Sequence, residues 1–356
     1  MNMNQNLKTI IDPAPNEIGS SVYEFLKYLG EPTVIILTGR DRTRTRALVT
    51  LLHGNEPSGL MALFNWIKSG DKPAVNTVCV IAAVAAALVE PQFSNRVIEG
   101  KRDLNRCFKS PFEIDQEGQL AEKVLKVLKN YQPEAVIDMH NTSGSGPAFA
   151  VATYFDAKHD ALTSLFTQRL IITDLRLGAL MEISEYLCPT VTIECGGRLD
   201  DAAHALATEG LRAYFSREQV LSADVADFGL ELLKNPVRLE LNEACTVMYG
   251  NCANSSYDLV LDSGIEHFNS GVTPGGSLLG WVTRGNLGRV FSSKNSSDQC
   301  VLDELIYLDG DKLLTAQDLK LFMITTNPEI AKMDCLLYAV RSNGDEITVA
   351  SRRDHT

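Results

Sequence analysis

No stretch of this chain is apolar for long enough to cross a bilayer. The longest apolar run, residues 78–89, has 12 residues, five of them alanine, against the roughly 20 that a spanning helix needs. A buried strand passing into a helix start is the reading it supports. Positive charge is also scarce. With 33 Lys and Arg against 45 Asp and Glu, the formal net charge is −12. Nucleic acids and anionic membranes both call for a basic surface, so neither is expected as a partner. A small anionic substrate stays open, because a few local arginines can set the field of one pocket. No Cys-x-x-Cys pair occurs among the eight cysteines, at 79, 107, 188, 195, 245, 252, 300 and 335. Scattered in this way, they read as buried reduced thiols of a cytosolic protein rather than a disulfide framework. The first eight residues are polar and Asn-rich, without the basic-then-apolar pattern of a secretory signal, and the expected location is the cytoplasm. Tandem repeats and extended low-complexity tracts are absent as well.

What is present is an ordinary globular composition, 45% hydrophobic and 22% charged. Its 356 residues suffice for a large domain and a smaller one. After a lead-in with a helix at 22–29, stopped by Gly30 and Pro32, short apolar runs alternate with helical spacing. Strands are expected at 33–37, 47–52, 77–84, 135–137, 148–152 and 191–193. Helices are expected at 57–68, 119–128, 161–170 and 202–215. Strands without polar alternation, interleaved with helices, imply a sheet covered on both faces. Beyond about residue 222 the pattern changes to strand-like pieces at 237–241, 257–261, 277–282 and 321–325, punctuated by Gly, Asn and Ser. The expected organisation is a catalytic domain at 1–222, a mainly β domain at 223–345 and a polar tail at 346–356.

Three motifs carry chemistry. His53-Gly54-Asn55-Glu56-Pro57 sets an imidazole and a carboxylate three positions apart, at the end of one strand-like run. Asp138-Met139-His140-Asn141 ends another, and Glu194 ends a third, within Thr192-Ile193-Glu194-Cys195. In α/β sheets the site lies at the carboxyl ends of strands, so three motifs fall where such a fold places chemistry. Two histidines and a carboxylate are the ligand set of a catalytic zinc site, which keeps a position open for water. His53 and Glu56 can converge on one ion from a turn, and His140 is the best third ligand. Asp138 reads equally as a carboxylate orienting a ligand imidazole or as a polar strand end. Glu194 is the candidate general base, moving a proton from water to the leaving nitrogen. The loop Arg96-Val97-Ile98-Glu99-Gly100-Lys101-Arg102-Asp103-Leu104-Asn105-Arg106 supplies cations. One of them could polarise a scissile carbonyl and another could clamp a substrate carboxylate, unless the loop is simply solvated.

His53-Gly54-Asn55-Glu56, Asp103-Leu104-Asn105-Arg106, Asp138-Met139-His140-Asn141-Thr142 and Ile193-Glu194 occur in that order. The chain thereby resembles the succinylglutamate desuccinylase/aspartoacylase family, a branch of the zinc-carboxypeptidase superfamily, over residues 45–200. The resemblance implies an α/β, mixed-sheet, zinc-carboxypeptidase-like domain with helices on both faces, and a smaller barrel-like β domain. It implies that His53, Glu56 and His140 hold one Zn²⁺ per chain and that Glu194 is the base. It further implies that Asn105 and Arg106 hold the substrate's carboxylate end and that Asn141 and Thr142 line the pocket. Arg96 is the carbonyl-polarising arginine by this comparison, with Arg102 as the alternative. The chain departs from the family in two places. Aspartoacylases carry an arginine about ten residues before the base, where this chain has Ser184 between Glu182 and Glu185, with Arg176 further upstream. Many members carry Asn-Pro where this chain runs through alanines at 82–87.

The expected function is therefore a zinc-dependent amidohydrolase that cleaves an N-acyl amino acid or a similar small amide with a free carboxylate. Its substrate is expected to be neither N-acetylaspartate nor succinylglutamate. The rival readings are a carboxypeptidase or amidase acting on short peptides or cell-wall fragments, and a metal-binding module without catalysis. His and carboxylate ligands suit several divalent metals, and a homo-oligomer stays open.

Overall fold

The computed structural model describes residues 7–142, 144–221, 228–269, 271–333 and 335–348. They divide into two compact units. The first holds residues up to Asn141, Ala148–Leu170 and Arg176–Leu230, and the second holds Thr142–Pro147, Ile171–Leu175 and the chain from Glu231 onward. The boundary expected at 222/223 lies outside the described residues, as does the tail from 349. Glu346 and Ile347, expected in the tail, belong to the second unit instead, where Ile347 is fully buried in its core.

The first unit is built on strands β1 (Lys8–Ile11), β2 (Thr33–Leu37), β3 (Asp41–Thr50), β4 (Val75–Ile81), β5 (Val136–Thr142), β6 (Phe149–Ala152), β7 (Arg169–Ile172) and β8 (Thr190–Gly197). These lie side by side in the order β1-β2-β4-β3-β5-β8-β6-β7. The sheet is mixed. β3 runs parallel to both β4 and β5, while β2 is antiparallel to β4 and β6 to β8.

Both faces are covered. Helix α4 (Gln116–Tyr131) buries Ala121, Val124, Leu125 and Leu128 against Ala47, Val49, Val78, Val80 and Val136. The alternating residues point the other way, towards α2 (Ser58–Ser69). There a Cβ on Gly59 would meet the Thr50 hydroxyl at 2.1 Å and Met139 at 3.2 Å, so a glycine lets the helix lie close on β3 and β5. Packed beside α2 are α6 (Asp201–Ser216) and α1 (Val22–Leu29). Two further helices, α3 (Val84–Leu88) and α5 (Ala157–Thr163), follow β4 and β6. Local chemistry fixes the ends. Ser21 accepts from Glu24 N at the start of α1, and Gly30 and Gly70 take left-handed conformations after α1 and α2.

Several boundaries differ from the sequence reading, each for a physical reason. β3 starts at Asp41 rather than 47, because the arginines before Ala47 have partners. Arg46 is fully buried and donates to Glu134 at 2.7 Å and to the carbonyls of Tyr214, Arg217 and Glu218. The helix expected at 161–170 starts at Ala157 and stops at Thr163. Asp156 caps it by accepting from Lys158 N and His159 N, and Arg169–Ile172 is a strand.

The second unit is mainly β. Val247–Gly250, Leu259–Asp262, Leu278–Val282, Lys312–Thr315 and Ile306–Asp309 form one sheet in that order, and Phe291–Ser292, Val237–Leu241, Leu337–Arg341 and Leu319–Phe322 form another. These strands thus lie in two sheets, and no closed barrel is formed among the described residues. Leu239, Leu259, Leu261, Leu313, Leu319 and Leu337 sit in its core. All eight cysteines are free, although Cys252 and Cys300 are exposed rather than buried. Among the described residues no helix is long and apolar enough to cross a membrane.

Candidate metal centre and active site

β3 ends at Thr50, and Leu51 turns the chain sharply with a left-handed φ of 55°. The next residues, His53 to Pro57, cross the end of the sheet before α2 begins at Ser58. Gly54 is needed in this crossing, since a Cβ there would meet the backbone of Ala86 and Ala87 at 2.6–2.7 Å. Its N–H donates to Arg96 O at 2.8 Å, which ties the turn to the Arg96 loop. His140 and Glu194 stand inside β5 and β8 rather than just after them.

His53 Nδ1 lies 2.8 Å from Glu56 Oε1, and His140 Nδ1 lies 2.7 Å from Glu56 Oε2. All three side chains are buried, and their ligand atoms lie within 4.8 Å of one another. The outer nitrogens are held too. His53 Nε2 is 2.8 Å from Asp103 Oδ1, and His140 Nε2 is 3.0 Å from Asp138 Oδ1. Asp138 is fully buried, and its second oxygen accepts from the Thr192 hydroxyl at 3.0 Å. A carboxylate behind each imidazole, with both Nδ1 atoms turned to a shared point, is the arrangement that orients histidines on a metal. The donor set therefore fits a divalent cation. Asp138 takes the orienting position open to it in the sequence. Asp103 was missed as the partner of His53, because 50 residues separate them.

Arg96 donates from Nη1 to Glu56 Oε1 at 3.2 Å and from Nη2 to Asp103 Oδ2 at 3.0 Å. Arg102 instead forks onto Asp115 at 2.5 and 2.7 Å. Of the two candidate arginines, Arg96 is the one beside the cluster. Glu194 leaves part of its surface open, yet its Oε2 is buried without a hydrogen-bond partner.

Burial and charge set the protonation of the cluster. Burial raises Glu194 to about 7, with help from Glu56, while His140, His53 and Arg96 pull the other way. For Glu56 burial acts upward, but the His53 and His140 imidazoles outweigh it and hold the carboxyl well below the usual range. Asp103 is held low against its burial by His53, Arg96 and Arg106. Burial disfavours the charged form of His140, yet Asp138 and Glu56 raise it well above the ordinary histidine value.

The remaining sequence candidates are used in different ways. Asn105 Oδ1 accepts from Leu180 N at 2.9 Å, and Arg106 Nη1 donates to Asn105 O at 3.0 Å. The Asn141 amide donates to the Ser58 hydroxyl and Gly196 O and accepts from Ser58 N, so it braces α2 against β5 and β8. Thr142 belongs to the second unit, where its hydroxyl donates to Gly144 O at 2.6 Å. His159 is buried between Asp156 and the Ser184 hydroxyl, His204 contacts the Ser58 hydroxyl, and His267 lies against Gly264 O. Glu182 accepts from Gly178 N and Ala179 N, and Glu185 pairs with Arg176.

No curated protein matches the chain. Solved structures share its fold. A succinylglutamate desuccinylase/aspartoacylase from Rhodobacter sphaeroides aligns with a TM-score of 0.52 at 15% identity, over 83% of this chain and 84% of its own. A chain from Shewanella frigidimarina NCIMB 400 with the same family name aligns with a TM-score of 0.55 at 12% identity, over 86% and 92%. At such identities the likeness is one of fold. The profile of the succinylglutamate desuccinylase/aspartoacylase catalytic domain matches residues 42–251, which include every residue of the cluster. That match spans more than half of the sequence, and on it the chain belongs to the succinylglutamate desuccinylase/aspartoacylase family.

Proposed function

We propose that this chain is a zinc-dependent hydrolase of the amide bond in an N-acyl amino acid or a similar small substrate with a free carboxylate. One observation carries the reading. Two Nδ1 atoms converge on the two oxygens of Glu56, next to a buried carboxylate whose Oε2 has no partner. Membership of a family named for a desuccinylase and an aspartoacylase supports the same chemistry.

His53, Glu56 and His140 would hold the ion. Zinc, when bound, supplies Lewis acidity and brings the pKa of a water to about 7. Glu194 accepts a proton from the attacking water and returns it to the leaving nitrogen. A carboxyl raised to about 7 is matched to both transfers at neutral pH. Arg96 holds the developing oxyanion. Arg106 anchors the substrate carboxylate, with the Asn105 amide nitrogen beside it. Asn141 works indirectly, by fixing the strand that carries His140. Thr142 lines the pocket only by family resemblance.

The test is hydrolysis of a panel of N-acyl amino acids and short peptides by zinc-loaded protein, with Glu194→Gln beside it. Wild type is expected to release amino acid from a subset of the N-acyl compounds. The variant should lose about 10²-fold or more in turnover while keeping its zinc. Full activity in the variant, or cleavage of peptides alone, would overturn the reading.

A further inference from the structure

The alanine stretch at 82–87 has no part in the chemistry above, but it walls a cavity of about 370 Å³ in the first unit. Ala82, Ala83, Ala85 and Ala86 line one side, and their short side chains leave space that larger residues would fill. Leu52, Val97, Leu104 and Leu120 contribute the rest of an apolar interior. None of His53, Glu56, His140 or Glu194 lines it. Arg96 does, so the loop that carries Arg96 and Asp103 to the metal cluster also forms a wall of this second space.

The lining holds five cationic side chains against two anionic ones, in a chain of net charge −12. Arg96 and Arg102 also border the cavity, but both are bound to carboxylates. That leaves Lys8, Lys101 and Lys123 as the other cationic lining residues, beside Glu31 and Glu117. Lys8 donates to the carbonyls of Tyr28 and Leu29, and Lys101 to Gln116 Oε1 at 2.6 Å. Lys123 forms no ion pair among the described residues. The volume falls in the range of small-molecule sites, which combine apolar walls with a few placed polar groups.

We propose that this cavity binds a small carboxylate with an apolar chain of medium length, separately from the metal centre. The chain would lie along the alanine wall and the carboxylate would meet the lysines at the rim. The proposal stands apart from the hydrolase reading, because it concerns equilibrium binding and not turnover.

Calorimetric titration of the full chain with octanoate, acetate and octylammonium tests it. Octanoate is expected to bind saturably at one site per chain. Acetate should bind at least about tenfold more weakly and octylammonium not at all, since ~1.4 kcal/mol separates each tenfold step. Ala85 is an exposed residue of the wall, so Ala85→Phe fills the space without entering the core. It should weaken octanoate by roughly tenfold or more while keeping the thermal midpoint. Lys123→Glu, at the rim, should weaken octanoate by about fivefold through charge alone. Absence of saturable octanoate binding, unchanged affinity in the folded Ala85→Phe variant, or equal binding of octylammonium would each overturn the proposal.

Discussion

Glu194 should cost the protein stability at neutral pH, and replacing it with glutamine should return that stability. Its carboxyl rises from an ordinary value of 4.5 to about 7, with burial as the first cause. The folded chain therefore holds this proton more tightly than the unfolded chain. Below pH 4.5 both states are protonated and the group contributes nothing. As pH rises towards 7 the unfolded state releases its proton first, so folding loses stability. Above pH 7 the loss levels off. At 1.36 kcal/mol per pH unit the difference approaches about 3–3.5 kcal/mol. Part of the residue is open to solvent, so about 1–3 kcal/mol is the expected range. The assay is urea unfolding of chelator-treated protein between pH 4 and 8, wild type against Glu194→Gln. A Trp281→Phe background leaves Trp66 as the reporter, packed edge-on against Phe215 in the first unit. The stability advantage of the variant should be near zero at pH 4 and reach its plateau above pH 7. A pH-independent difference, or a less stable variant at pH 8, would refute the argument that burial governs this carboxylate.

Other perturbations give equally definite outcomes. Asp138→Asn and Asp103→Asn each remove a carboxylate behind a ligand imidazole and should weaken zinc by about 10–100-fold, read by competition with a chromophoric chelator. Because Asp138 and Glu56 raise His140, zinc must displace a tightly held proton there. Zinc affinity should therefore fall as pH drops through neutrality, less steeply in Asp138→Asn, and a flat profile in wild type would contradict this. Arg46→Met removes hydrogen bonds to Glu134 and to the carbonyls of Tyr214, Arg217 and Glu218, although Arg44 still holds Glu134 and Glu218 O. It should cost about 1–3 kcal/mol in urea unfolding with zinc stoichiometry unchanged.

The legible parts of this chain are those where one physical signal acts alone. Thr33–Leu37 is an apolar run and Val237–Leu241 an apolar–polar alternation, each bounded by turn residues, and Val22–Leu29 ends at a left-handed glycine. All three match the sequence reading. Boundaries fail where buried polar residues continue an element. β5 runs on through Asp138, His140 and Asn141, all within 2% of full burial, because each polar group has a partner, Thr192 for Asp138, Glu56 for His140, and Ser58 and Gly196 for Asn141. Hydrophobic pattern stops where those partners begin, so the strand ended too early in the reading and His140 was placed after it. The extra length of β3 has the same cause in Arg46. The cluster of His53, Glu56 and His140 needed only residue type and spacing to be singled out. The pairing of Asp103 with His53 depends on how a loop folds back, and no local pattern encodes that.

The same geometry bears on which acylated compounds the protein accepts. A substrate with a second carboxylate, such as N-acetylaspartate or succinylglutamate, needs a further cation beside the one that anchors its first. Three arginines that could supply it are already committed. Arg102 is forked onto Asp115, Arg176 is bound to Glu185 at 2.6 Å, and Arg96 bridges Glu56 and Asp103. Freeing any of them breaks a charge-assisted hydrogen bond, each worth roughly 1.5–3 kcal/mol, unless the substrate replaces it. Glu182 is occupied in capping Gly178 and Ala179. The obstacle is thus less repulsion by free carboxylates than the cost of releasing these arginines from their carboxylates. N-acyl amino acids with neutral side chains should therefore exceed their dicarboxylate counterparts by about tenfold or more in kcat/KM. If N-acetylaspartate or succinylglutamate instead proved the better substrate, one of these ion pairs must open during binding. Arg176 would be the first to test, since Arg176→Ala would then remove the preference for the dianion while sparing the neutral substrate.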